Sequence, residues 1–288
     1  MAEADFFKRL RDVQDLPALP DAATKVLELA QSEETTAEDL SGALSQDQAL
    51  AGKTLKLVNS PYYGFPRRIG KISEAVVILG FKTIKNLAVS ASVCDFFSGG
   101  SEGLDRRQLW KHSVGVAVAA AMVAKHTRMA ALKENAFISG LLHDIGLLVE
   151  DRSFQPELCR ALTMAEEQNL PIEEAENEVF GLDHALIGKK VAEIWKLPER
   201  ICSSIGFHHQ PQYALGEARQ EASLVYVADL ICKLKGFGFD GDQTVPKLKK
   251  GPFQVLSLDK SDLKELSKTF DEEIGTARDF LEMGRNAA

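Results

Sequence analysis

Apolar residues recur at helical spacing along much of this chain, and short polar clusters punctuate the runs. Leu16-Pro17-Ala18-Leu19-Pro20 opens an amphipathic helix that continues through Val26, Leu27 and Leu29. Thr36, with Asp39 three residues on, has the form of a capping box for a short helix Ala37–Leu44. Asp47 is placed to cap Ala49–Val58, which stops at the turn signal Asn59-Ser60-Pro61-Tyr62-Tyr63-Gly64. Ser73 is placed to cap Glu74–Leu79; Gly80 then breaks the run, and helical spacing resumes over Lys82–Phe97. In the second half, His112 follows Trp110 and opens the apolar helix Val114–Val123. Asp183 is an N-cap candidate for a helix leading to Trp195, and Pro198 suits the first turn of the next. Ser261 is placed to cap a closing helix Leu263–Met283. The pattern predicts an all-α protein.

One stretch stands out. Leu141-Leu142-His143-Asp144-Ile145-Gly146 sets two adjacent metal-binding side chains in an otherwise apolar run. Neighbours lie about 100° apart on a helix, so only one of the pair could face the core by accident. A buried ionised Asp costs several kcal/mol unless a cation or strong donors meet it. The alternative is a helix C-terminus, with both residues solvated ahead of Gly146. Six histidines occur: His112, His126, His143, His184, His208 and His209. All but His126 fall at helix positions or ends that can converge. Asp229 joins them from the middle of the apolar helix Leu224–Ile231, where a lone carboxylate is unexpected. Taken singly, each has a structural reading as a capping His, a satisfied core His or an Asp bonded to nearby backbone.

Taken together, His112, His143-Asp144, His184, His208-His209 and Asp229 resemble the HD superfamily of metal-dependent phosphohydrolases. The tandem histidine and His184 look like the dinuclear arrangement of its HD-GYP branch. The resemblance implies that Asp144 bridges two metal ions and is the catalytic carboxylate. His112, His143 and Asp229 then complete one ion, and His184, His208 and His209 the other. Five imidazoles and two carboxylates favour iron, manganese, nickel or zinc over magnesium. Three positions depart from the branch. Leu147 stands where it carries a Lys that donates a proton or meets phosphate. His208-His209-Gln210-Pro211-Gln212-Tyr213 replaces the paired His, Glu and Gly-Tyr-Pro loop, and Gln108 occupies the place of a third-metal Glu in some relatives.

The first hundred residues resemble the HDOD (HD-related output domain) family. The motifs are Leu-Pro-Ala-Leu-Pro, Ser45-Gln46-Asp47-Gln48-Ala49-Leu50, Leu57-Val58-Asn59-Ser60-Pro61-Tyr62-Tyr63-Gly64 and Ala75-Val76-Val77-Ile78-Leu79-Gly80. With the His/Asp pattern, the likeness covers roughly Leu10 to Leu234. It implies an N-terminal helical half (10–97) packed on an HD-like metal-binding half (104–235), with a C-terminal helical extension (242–288). Ser98–Gly103 and Gly236–Asp242 are the linkers. The family supplies output or scaffold modules to bacterial signalling, which implies signalling proteins or a phosphorylated small molecule as partners. Three functions follow: a metal-binding signal-transduction module, a phosphohydrolase on a nucleotide or other phosphoester, or a metal-free interaction scaffold.

A net charge of −8 argues against broad nucleic-acid binding, which needs a basic face. Lys53, Lys56, Arg67, Arg68 and Lys71 form a local exception, read as a solvated rim or as a docking surface for an acidic group. Lys247–Lys250 reads as solvated, and 242–250 as devoid of useful chemistry. The longest apolar stretch, Val114–Ala124, is too short to span a bilayer, and Met1–Asp5 lacks a signal peptide's basic flank, so a cytoplasmic location is expected. Cys94, Cys159, Cys202 and Cys232 lack metal-site spacing and read as buried free thiols.

Overall fold

A computed structural model describes residues 18–29, 34–99, 103–239, 241, 244 and 248–284. These form helices and turns, with no strand among the described residues. Leu16, Pro17, linker residues 100–102, Asp240, Asp242 and Lys247 lie outside them. The chain divides into two compact units, one of residues 19–98 and 271–288, the other of residues 99–270 (with 1–18). The expected 242–288 extension thus contributes to both.

The smaller unit contains α1 (Asp21–Leu29), α2 (Ala37–Ser45), α3 (Gln48–Val58), α4 (Ile72–Leu79) and α5 (Phe81–Val93), followed by a 3₁₀ turn Cys94–Phe97. The capping box at α2 is complete: the Thr36 hydroxyl accepts from Asp39 N–H, and Thr36 N–H donates to the Asp39 carboxylate. Asp47 caps α3 by accepting from Leu50 N–H. Ser73 does not cap α4, which starts two residues earlier than its hydroxyl would need, with Lys71 at the N-cap. Gly80 separates α4 from α5 with φ +81°, a backbone that L side chains rarely adopt. Asn59 closes the Tyr-Tyr loop, its amide donating to Ile69 C=O and accepting from Ile69 N–H.

The larger unit is built on α6 (Arg106–His126), α7 (Lys133–Leu142), α8 (Ile145–Ser153), α9 (Gln155–Gln168), α10 (Ile172–Phe180), α11 (His184–Ile194), α12 (Glu199–Gly206), α13 (Gly216–Lys235) and α14 (Lys250–Leu256). α6 and α13 are buried all round over long stretches, so each is a core helix rather than an amphipathic one. Small residues set how closely helices approach. A Cβ at Gly140 would stand 2.9 Å from the Val116 carbonyl oxygen, so α7 meets α6 nearly backbone to backbone. At Gly146 the same atom would lie 2.0 Å from the His184 carbonyl oxygen, bringing α8 equally close to α11. Arg106 at the start of α6 pairs with buried Asp151 of α8 at 2.6 Å.

Several boundaries differ from the sequence reading. α6 begins at Arg106 under an Asp105 cap, so His112 lies within the helix instead of opening it. The expected closing helix is two, α15 (Lys260–Thr276) and α16 (Arg278–Met283), parted at Ala277. Asp259, not Ser261, accepts from the first free amides, those of Ser261 and Asp262.

Candidate metal centre

Five separate places in the larger unit bring the seven predicted side chains together. His112 comes from the second turn of α6 and Asp229 from mid-α13. His143 and Asp144 occupy the two-residue break between α7 and α8, not a continuous helix. That break lets neighbours in sequence face one centre, which a helix would deny them. His184 is the first residue of α11, fixed there because Asp183 caps the helix at Leu186 N–H. His208 and His209 follow the end of α12. All seven are buried. His126 stays outside, paired with Asp262 at 3.2 Å.

The two oxygens of Asp144 face different groups. Oδ2 lies 3.0 Å from His143 Nε2 and 3.7 Å from His112 Nε2, while His112 Nε2 is 3.1 Å from Asp229 Oδ1. Oδ1 lies 3.2 Å from His184 Nε2 and 3.6 Å from His208 Nε2, and His184 Nε2 is 2.9 Å from His209 Nε2. Two atoms each about 2.1 Å from one metal ion stand roughly 3 Å apart. The distances therefore also fit atoms that ligate a common ion. His143 Nε2, Asp144 Oδ2, His208 Nε2 and Asp229 Oδ1 are buried and, despite their proximity, make no hydrogen bond of acceptable geometry. Such orphans are costly unless something else meets them. The groups His112–His143–Asp229, His184–His208–His209 and His143–Asp144–His208 each can hold a metal ion.

The outer nitrogens point the rings inward. His143 Nδ1 lies 2.7 Å from the Gly140 carbonyl, and His208 Nδ1 2.7 Å from that of Ile205. His184 Nδ1 lies 2.7 Å from Glu176 Oε2, which also accepts from the His184 backbone N–H at 2.8 Å. With Nδ1–H donating outward, the Nε2 of a neutral ring presents its lone pair to the centre. Sequence reading did not find Glu176. It had a signal, because Glu176 shares a face with Ile172, Ala175 and Phe180 on α10, where an apolar residue belongs.

Electrostatics support the same arrangement. Burial pushes the Asp144 pKa up, but His143 and His184 outweigh it and hold the group well below the usual carboxylate range. Burial also opposes ionised Asp229, yet Lys233 and His112 keep its pKa low. Burial, then the neighbouring His143, depresses His208 to about 3, and His209 is depressed by burial and His208. Both rings are thus neutral at pH 7, as metal ligation requires. His184 is the exception: burial disfavours its charge, but Glu176 and Asp144 raise its pKa well above the ordinary value. A metal ion must displace that proton, so uptake is expected to release one and to strengthen as pH rises toward the raised pKa. Calorimetry in buffers of different ionisation enthalpy measures the release. Zero release, with affinity flat from about pH 6 to 8, contradicts the expectation.

Other expected features resolve differently. Leu147 is wholly buried, so a Lys placed there would enter the core and not a substrate cleft. Gln108 is exposed on α6. The N-terminal basic cluster is largely met by carboxylates: Lys53 by Asp95, Lys56 by Asp279 and Glu282, Arg67 by Glu74. The four cysteines are free, all but Cys159 buried. No described helix is long and apolar enough to cross a membrane.

The model of the HDOD domain matches residues 16–211. The chain belongs to the HDOD family. An uncharacterized protein of Treponema pallidum (strain Nichols) is 29% identical over 248 residues, 85% of this chain but 47% of that protein. The HDOD chain thus spans about half the length of this curated relative. An HDOD domain protein of unknown function from Geobacter sulfurreducens superposes with a TM-score of 0.78 at 27% identity, over 96% of both chains. A protein from Shewanella amazonensis SB2B, named as a candidate phosphohydrolase, does so with a TM-score of 0.73 at 27% identity, over 97% of this chain and 98% of that one. The HDOD fold is therefore shared along nearly the whole length.

Proposed function

We propose that this protein is a bacterial signal-transduction HDOD protein that holds two transition-metal ions, bridged by Asp144. The observation that carries the metal reading is the split of the Asp144 carboxylate, each oxygen facing its own set of imidazoles. His112, His143 and Asp229 complete one site; His184, His208 and His209 complete the other. The nitrogen-rich donor set fits iron, manganese, nickel or zinc. Protein purified without chelator and reconstituted with these four metals is expected to carry close to two ions by elemental analysis, roughly as the two donor groups imply. A metal-free wild type after reconstitution sinks the reading. Because the ligands tie together five segments of the native fold only, metal at a hundred times its dissociation constant adds about 2.7 kcal/mol. Chelation is therefore expected to lower the melting temperature. An unchanged value with confirmed metal loss speaks against the site.

A phosphohydrolase is the second reading, favoured by the Shewanella protein's name and by the bridging carboxylate. A bound divalent pair lowers the pKa of a water and polarises a phosphoryl oxygen. The chain's own part is to present the neutral rings, hold Asp144 ionised and bury the centre. With apolar, buried Leu147 in place of a cation and no Gly-Tyr-Pro loop, weak metal-dependent hydrolysis of generic phosphoesters is expected, with negligible turnover of cyclic di-GMP. Rapid cleavage of that dinucleotide, abolished in Asp144→Ala, would make the enzyme reading the correct one.

A further inference from the structure

The cluster is least buried at two of its members. Five of the seven side chains belong to residues 1–2% exposed, whereas His209 and Asp229 reach 8% and 7%. Around these two stand groups from three elements. Tyr226, Asp229 and Lys233 share a face of α13 at spacings of three and four. Lys233 Nζ lies 3.3 Å from Asp229 Oδ2, and Glu173 Oε1 lies 3.8 Å from His209 Nδ1. The third contribution comes from Lys249, just ahead of α14 and beyond the residues that match the family. Its backbone N–H donates to the Tyr226 hydroxyl at 3.0 Å, and its Nζ donates to the His209 carbonyl at 2.7 Å.

We propose that Lys249 is an oxyanion-binding residue at the mouth of the cluster, receiving the phosphoryl group of a ligand that reaches the metal ions. This rests on the metal reading above. A mouth flanked by Asp229 and Glu173 repels an anion unless a cation offsets them. Lys233 leans on Asp229 and supports that carboxylate. The Lys249 ammonium instead meets a neutral carbonyl, so turning to a phosphate oxygen exchanges a neutral acceptor for a charged one, a stronger bond. Tyr226 holds its backbone while the four-carbon stem keeps the charge mobile. A cation thus stands beside His209 from a segment far from Leu147, whose burial bars that position from the task.

The test is inorganic phosphate binding to the full-length, metal-loaded protein, with metal content and melting temperature measured in parallel. Lys249→Met is expected to keep both of those and to weaken phosphate binding about tenfold or more, the scale of a lost charge-assisted bond. Lys249→Arg is expected to restore most of the affinity, and Lys250→Met, one residue on and exposed, to leave it unchanged. Wild-type affinity in Lys249→Met, or no phosphate binding by the loaded wild type, overturns the proposal. So does a Lys249→Met that melts early or loses metal while its remaining loaded sites bind phosphate normally, since Lys249 would then only anchor α14. A wild type that takes up no metal defeats the underlying reading and this one with it. Loaded protein indifferent to Lys249 defeats this one alone.

Discussion

Asp144→Ala is expected to empty both metal positions at once. Four imidazole nitrogens stand 3.0 to 3.7 Å from its two oxygens, two on each side, so its loss removes a donor from both sets at once. Loss of an outer partner that merely orients a ligand weakens metal affinity about 10–100-fold. Loss of a shared ligand should exceed the upper end of that range at each position. Elemental analysis of the variant reads the result, and circular dichroism confirms that the fold persists. His126→Ala, outside the cluster, is expected to retain the wild-type content. One ion retained by Asp144→Ala would confine the carboxylate to a single site and refute the bridge.

The largest expected loss of stability comes from a single methyl group. In Gly146→Ala the new Cβ would lie 2.0 Å from the carbonyl oxygen of His184 and 2.8 Å from its carbon, with Gly188 N at 3.0 Å. These are backbone atoms, so no rotamer relieves the clash and α8 must part from α11. Overpacking usually costs about 1–3 kcal/mol where side chains give way. Here the wall is rigid, and a cost of about 4 kcal/mol or more is expected. His184 begins α11 and moves with it, so the variant should also lose metal. Gly42→Ala in α2 meets nothing within 4 Å and is expected to stabilise by up to about 1 kcal/mol. Urea denaturation compares the two. A Gly146→Ala midpoint near wild type would mean that the helices are less tightly apposed than described.

The seven residues that meet at the centre were legible in the sequence as a set, through the resemblance to the HD pattern; only His112, His184 and Asp229 lie within helices, and the other four stand at helix breaks or ends. The helices themselves followed from spacing and from caps such as Thr36 and Asp47. Where a hydroxyl was the only cue, as at Ser73 and Ser261, the boundary moved, since neighbouring backbone geometry decides which residue caps. Glu176 was not singled out in the sequence, although it breaks the apolar face of α10 just after the acidic pair Glu173 and Glu174. Lys249 offered no cue at all. Its place at His209 depends on where α14 docks, and no local pattern encodes that. Leu147 was readable as a missing cation, but its complete burial was a fact of packing.

The tethers on His143 and His208 share a design whose effect extends beyond orientation. Each ring is held by the carbonyl three residues back, in the last turn of α7 and of α12 respectively. Those are the carbonyls that a helix end leaves without an internal partner, and they carry the negative end of its macrodipole. These two helix ends bring partial negative charge to the same centre that gathers Asp144 and Asp229, and they offset the positive ends of α8 and α11, which begin there. They do so through groups that carry no proton to lose and that are buried from counterions. Added salt, which weakens surface attraction, should leave this contribution almost intact.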